Sequence, residues 1–182
     1  MSRAHPDQIP ARIPAELLPA EVEWRIEVPR GGFVKRDAEG HIDFVSPLPC
    51  PFNYGCCPAL IGPDGEGIDV IVLGPRLRRG ATGKSPLVGR VRFRDGGRDD
   101  PKWVCAAEPL SEADLTLLDR FFSAYALGKL AYSRYRGVVA ETRYAGVDVV
   151  RDGRVVRALN GGSARARFRT RPWRGPGSSA QD

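Results

Sequence analysis

Two short acidic turns hold the residues best suited to chemistry. The first is Asp64-Gly65-Glu66-Gly67-Ile68-Asp69, and the second is Asp95-Gly96-Gly97-Arg98-Asp99-Asp100-Pro101-Lys102. Their glycines let the backbone turn tightly, so separated carboxylates can face one place. Carboxylates gathered in a cleft repel one another unless a cation neutralises them. Hard divalent cations such as Mg²⁺ take oxygen ligands of this kind. The chemistry on offer is divalent-metal binding. The plain alternative is a pair of solvated acidic loops, and no EF-hand spacing decides between the two.

Both turns adjoin strand-like segments. Asp69 opens the apolar, β-branched run to Leu73, the composition of a buried strand. Leu87 to Arg94 alternates apolar and polar residues before the second turn, and Trp103 to Ala106 follows it. Upstream, Trp24 to Val28 alternates, and Phe33–Arg36 and Ile42–Val45 flank a turn as a hairpin does. One helix is expected. Ser111 and Asp114 have capping-box spacing, and Leu115, Leu118, Phe122 and Tyr125 recur on one face. Gly128 weakens or ends it, and a weaker segment runs from Tyr132 to Val150. Strands that do not alternate with helices favour a small barrel over a doubly wound sheet.

Four segments, in order and at similar spacings, resemble the soluble family I inorganic pyrophosphatases. They are Glu27 within Ile26-Glu27-Val28-Pro29, the run from Ser46 to Gly55, the turn from Asp64 to Val70, and the turn from Asp95 to Lys102. The resemblance covers about Trp24 to Tyr125. It implies a mainly β fold, a five-stranded OB-like barrel flanked by one or two α-helices. It implies Mg²⁺-dependent hydrolysis of pyrophosphate to two phosphates. Asp64, Asp69, Asp95 and Asp100 match metal-binding aspartates, and Glu27 matches a glutamate that supports the metal and its water. Glu66 stands where the family has the aspartate that activates water. Tyr54, Lys102 and Tyr125 match phosphate-holding groups. Lys35 matches a phosphate lysine if one hairpin loop is shortened, whereas anchoring on Gly40 shifts the alignment. Metal ions would offset the substrate's charge and lower the pKa of water, while lysine and tyrosine donors stabilise the departing phosphate.

The chain departs from that pattern at several points. Glu66 adds a methylene to the water-activating carboxylate, a displacement of roughly 1 Å that can cost on the order of 100-fold. Gly67 replaces a stiff proline. The family's Tyr-Lys pair reads Tyr125-Ala126, with Lys129 one helical turn on and able to face the same way. An arginine expected before Ser46 is missing. The expectation is a metal cage better kept than its phosphate clamp, with slow pyrophosphate hydrolysis or preference for another phosphoanhydride. A catalytically impaired barrel that binds nucleic acid, or serves as an assembly subunit, is the alternative.

Composition bounds the rest. A length of 182 residues allows one domain with a real core. No apolar run approaches the roughly 20 residues of a membrane span, and no secretory h-region opens the chain. Cys50, Cys56, Cys57 and Cys105 lack zinc spacing and read as reduced thiols. A cytoplasmic, homo-oligomeric protein is expected. Eight arginines from Arg151 onward, against Asp152 and Asp182, account for the whole net charge of +6. The chain therefore divides into a proline-rich arm (1–21), a barrel domain (22–150) and a basic, largely disordered tail (151–182). Arginines and aromatics alternate from Arg165 to Arg174, which suits nucleic acid but also a plain solvated tail. Gly80 to Ser85 resembles a phosphate loop but has Arg78 where the first glycine belongs, so a connection between strands is expected there.

Overall fold

The computed structural model describes residues 18–36, 40–46, 48–61, 67–137, 141–151 and 153–161. The N-terminal arm before residue 18, the turn holding Asp64 and Glu66, and the arginine-rich segment after residue 161 lie outside them.

Five strands close a barrel. They are β1 (Glu21–Val28), β4 (Asn53–Ile61), β5 (Gly67–Val72), β6 (Thr82–Asp95) and β8 (Lys102–Cys105). The order runs β1-β4-β5-β8-β6, and β6 returns to pair with β1. Only β5 and β8 run parallel among these pairs, with Val70 opposite Trp103 and Val72 opposite Cys105. The barrel is the OB-like fold that the resemblance implies. Beyond β6 the sheet continues into β9 (Arg143–Arg151) and β10 (Arg154–Asn160). A short β7 (Arg98–Asp99) folds back on β6, and β2 (Val34–Arg36) pairs with β3 (Ile42–Val45) in the expected hairpin.

Strand alternation creates two cores, because successive side chains point to opposite faces. Val70, Val72, Leu87, Trp103 and Cys105 pack together with Val22 and Ile26 inside the barrel. Ile71, Val91, Phe93 and Val104 face outward onto α1 (Glu112–Tyr135) and meet Leu115, Leu118 and Phe122. Each such side chain contributes about 1.5–3 kcal/mol on burial. The helix starts where its cap places it. Ser111 Oγ accepts from Asp114 N at 3.2 Å, and the Asp114 carboxylate accepts from Ser111 N at 3.0 Å. This reciprocal box is worth about 1 kcal/mol.

Several expectations need correction. The helix continues through Gly128 to Tyr135, so residues 132–150 divide between its last turn and β9. Among the described residues it is the one α-helix. Residues 154–160 were expected in a basic tail but form β10, since Val155 and Leu159 pack half-buried beside β9. Thr82 to Ser85 is the first part of β6, paired with β1, and does not connect strands. Strand β4 was not expected at all. Buried Asn53, at its start, accepts from Leu77 N and Arg30 N and donates to Val72 O and Pro75 O. It ties two loops to the barrel rim.

All four cysteines are free and buried. Burial pushes the Cys50 and Cys56 thiols up to about 11 and Cys105 to about 12. The native protein is therefore expected to resist Ellman's reagent at pH 8 and to react fully in guanidinium. Raised folded pKa values also fix the sign of an alkaline effect. Stability held below the ordinary thiol value of 9.0 is lost as pH climbs from there towards about 11. Urea titrations at pH 8 and pH 10 would register a lower midpoint at the higher pH.

Candidate functional site

The second acidic turn is a tight hairpin. Gly96 and Gly97 have φ of 56° and 80°, a conformation that glycine adopts without strain. It joins Asp95 at the end of β6 to β7, and Asp100 N then donates to Phe93 O at 2.9 Å. Asp95, Asp100 and Lys102 thus leave one rigid corner. Asp69 arrives from β5, beside β8. Tyr125 and Lys129 come from the helix, Tyr54 from β4 and Lys35 from the β2–β3 hairpin. All eight line one cleft of about 330 Å³ between the barrel wall, the helix and the hairpin.

Opposite charges hold this cleft together. The Lys102 ammonium, only 4% exposed, lies between Asp69 and Asp100 and pairs with both. Burial alone would push its pKa down, but the two carboxylates outweigh burial and raise it. Burial likewise pushes Asp69 up, yet Lys102 and Lys35 hold it below the usual carboxylate range. Lys35 lies 3.8 Å from Asp69 and 3.9 Å from Glu27. Asp95 pairs with Lys129 and accepts from Thr142 Oγ1 at 2.8 Å, which lowers its pKa against burial. Asp100 behaves differently. Burial raises it, Lys102 opposes, and the neighbouring Asp69 and Asp95 charges add to the rise. Burial of Asp100 thus outweighs what its lysine offsets.

Two phenols complete the wall. The Tyr54 hydroxyl bonds Asp69. Burial raises both Tyr54 and Tyr125, so each remains a protonated donor. Glu27 lies behind the cleft. A register shift in β1 falls between Ile26 and Val28, as a bulge that re-aims a side chain would give. Its Oε2 is buried and accepts no hydrogen bond.

Of the sequence-derived candidates, Asp69, Asp95, Asp100, Lys35, Lys102, Lys129, Tyr54 and Tyr125 therefore converge. Glu27 reaches the group only through Lys35. Asp64 and Glu66 fall outside the described residues, although Ile61 and Gly67 on either side of them are paired across β4 and β5. Ala126 is buried in the core under the helix, while Lys129 lines the cleft. Sequence reasoning missed Thr142, Phe33, Ser46 and Phe121. Two of them carried a signal: Ser46 opens the Ser46–Gly55 segment of the resemblance, and Phe121 lies one position before the helix's apolar face at Phe122.

Barrel and cleft define an OB-like β-barrel protein with a carboxylate–lysine site outside the barrel, beneath its single described helix. A family model described as inorganic pyrophosphatase matches residues 25–126, and the chain belongs to that family. An inorganic pyrophosphatase of Saccharolobus solfataricus is 29% identical over 109 residues, 56% of this chain and 62% of that relative. The match thus spans less than two thirds of the relative's length. Among solved structures, an inorganic phosphatase from Anaplasma phagocytophilum superposes with a TM-score of 0.57 at 25% identity, over 72% of this chain and 85% of its own. An inorganic pyrophosphatase from Thermus thermophilus gives 0.56 at 24% identity, over 79% and 89%. The latter likeness is one of fold.

Proposed function

We propose that the protein hydrolyses inorganic pyrophosphate to two phosphates with Mg²⁺. One observation carries this reading: three carboxylates, three lysines and two protonated phenols face a single cleft. Among the described residues no group of three His, Cys, Asp or Glu forms a ready metal cage. The donor set nonetheless suits the ion. Asp69, Asp95 and Asp100 offer hard oxygen ligands facing one cleft, and Glu27 Oε2 lacks a donor. Those three aspartates, with Asp64, would hold Mg²⁺.

When bound, the cation would offset phosphate charge and lower the pKa of water. The chain's own residues supply the rest. Lys35, Lys102 and Lys129 exchange carboxylate partners for phosphate oxygens as substrate enters. Tyr54 and Tyr125 donate to the phosphate, and Glu66 takes the proton from the attacking water. Glu66, Gly67 and Ala126 make this a slow member of its family, and Lys129 replaces the cation that Ala126 removes. A cytoplasmic, homo-oligomeric enzyme belongs to the same reading. Among the described residues no helix is long and apolar enough to cross a membrane.

Phosphate release from pyrophosphate, measured with Mg²⁺, with Mn²⁺ and with EDTA, tests the proposal. Release that needs the cation is expected. Its absence with both metals would leave a binding protein in place of an enzyme.

A further inference from the structure

The cleft is lined by apolar residues as well as charged ones, among them Val28, Phe33 and Phe121. Diphosphate chemistry has no use for the apolar ones. A diphosphate presents charged oxygens, and an apolar wall desolvates them without offering a partner. Phe33 stands on that wall with 47% of its surface exposed. An open aromatic ring beside a charged site offers contact to an apolar group.

The cleft, of about 330 Å³, falls among the roughly 300–1,000 Å³ sites that enclose small-molecule ligands. The wall is held in place. Gly31 N donates to Cys50 O at 2.6 Å and Cys50 N donates to Gly32 O at 2.9 Å, tying the Phe33 loop to its neighbour. A Cβ at Gly32 would lie 2.8 Å from Pro29 O, so this turn closes tightly just before Phe33. On the helix, Phe121 is braced edge-on by Phe52, with ring centroids 5.0 Å apart.

We infer that the cleft accepts organic diphosphates, P–O–P anhydrides esterified at one end to an apolar group, and that Phe33 selects for that group. Resting on the hydrolase reading of the same cleft, this substrate class needs only water as co-reactant. The water oxygen bonds to the terminal phosphorus, and the bond from that phosphorus to the bridging oxygen breaks. The electron pair stays on the bridging oxygen, which leaves as part of the organic monophosphate. The proton lost by water passes through Glu66 to solvent or the leaving oxygen. The products are phosphate and a phosphate monoester.

The test uses the full chain with Mg²⁺ and three probes: pyrophosphate, methyl diphosphate and phenyl diphosphate. Phosphate release from phenyl diphosphate is expected to exceed that from methyl diphosphate by about tenfold in kcat/KM, the scale of one aromatic contact. Phe33→Ala should lower the phenyl-to-pyrophosphate ratio by a similar factor, and Phe33→Leu should keep most of it. Equal rates for methyl and phenyl diphosphate, with pyrophosphate still cleaved, would overturn the inference and leave the hydrolase reading intact. An unchanged ratio in Phe33→Ala would do the same. No phosphate from any probe would overturn both.

Discussion

Replacing Lys102 with methionine is expected to lower phosphate release by about 10²–10³-fold, the usual loss for one preorganised donor, while tightening the binding of Mg²⁺. The two effects have opposite signs for one reason. Lys102 lies buried between Asp69 and Asp100 and pairs with both. Methionine keeps the aliphatic stem and removes the charge. Two carboxylates then face each other without a cation between them, and a divalent ion becomes their best partner. Without the ion the variant should lose about 3–5 kcal/mol, as when one member of a buried ion pair is removed. Isothermal titration with Mg²⁺, urea unfolding with and without the ion, and phosphate release would separate the three effects. Unchanged metal affinity in this variant would show that Asp69 and Asp100 do not share a cation.

Asp69→Asn reverses the charge argument. The amide keeps an acceptor for the Tyr54 hydroxyl but loses the charge that holds Lys102 and Lys35. Activity is expected to fall by at least about 100-fold, the cost of misplacing groups in the site by about 1 Å, and Mg²⁺ affinity should fall with it. The pH dependence of stability offers an independent readout. The folded pKa of Asp69 lies below its ordinary value of 3.8, so its stabilising contribution is full above that pH and is lost as pH falls through the lower folded value. The acid limb of the wild-type stability curve should therefore be steeper than that of Asp69→Asn. Parallel acid limbs would mean that the Lys102 and Lys35 charges do not hold Asp69 ionised.

How far sequence alone reached depended on local pattern. Strands β5, β6 and β8, the β2–β3 hairpin and the helix start were legible because alternation, β-branching and the Ser111–Asp114 box are short-range signals. Strand β4 was not. Its Gly55, paired cysteines and Pro58 break any alternation, and the reason is tertiary: a Cβ at Gly55 would lie 1.9 Å from Arg25 O, so close approach of β1 dictates the residue. Strand β9 hid for another reason. Asp148 reads as exposed, yet it is buried because Arg90 and Arg92 of β6 form ion pairs with it at 2.7 and 3.0 Å. In the site, the meeting of Asp69 with Asp95 and Asp100 was legible through resemblance. Helical spacing placed Lys129 beside Tyr125. The apolar wall at Phe33 left no local trace, since only the packing of loops against the helix creates it.

The parallel pairing of β5 with β8 has a consequence for how this chain matures. Asp69 and Lys102 meet only after β8 has slipped between β5 and β6, and such distant pairings form slowly. A chain that reaches no further than β6 holds Asp69 and Asp95 but none of Asp100, Lys102 and Lys129. The Asp69–Lys102–Asp100 cluster therefore waits for β8, and the Asp95–Lys129 pair for the helix that follows it.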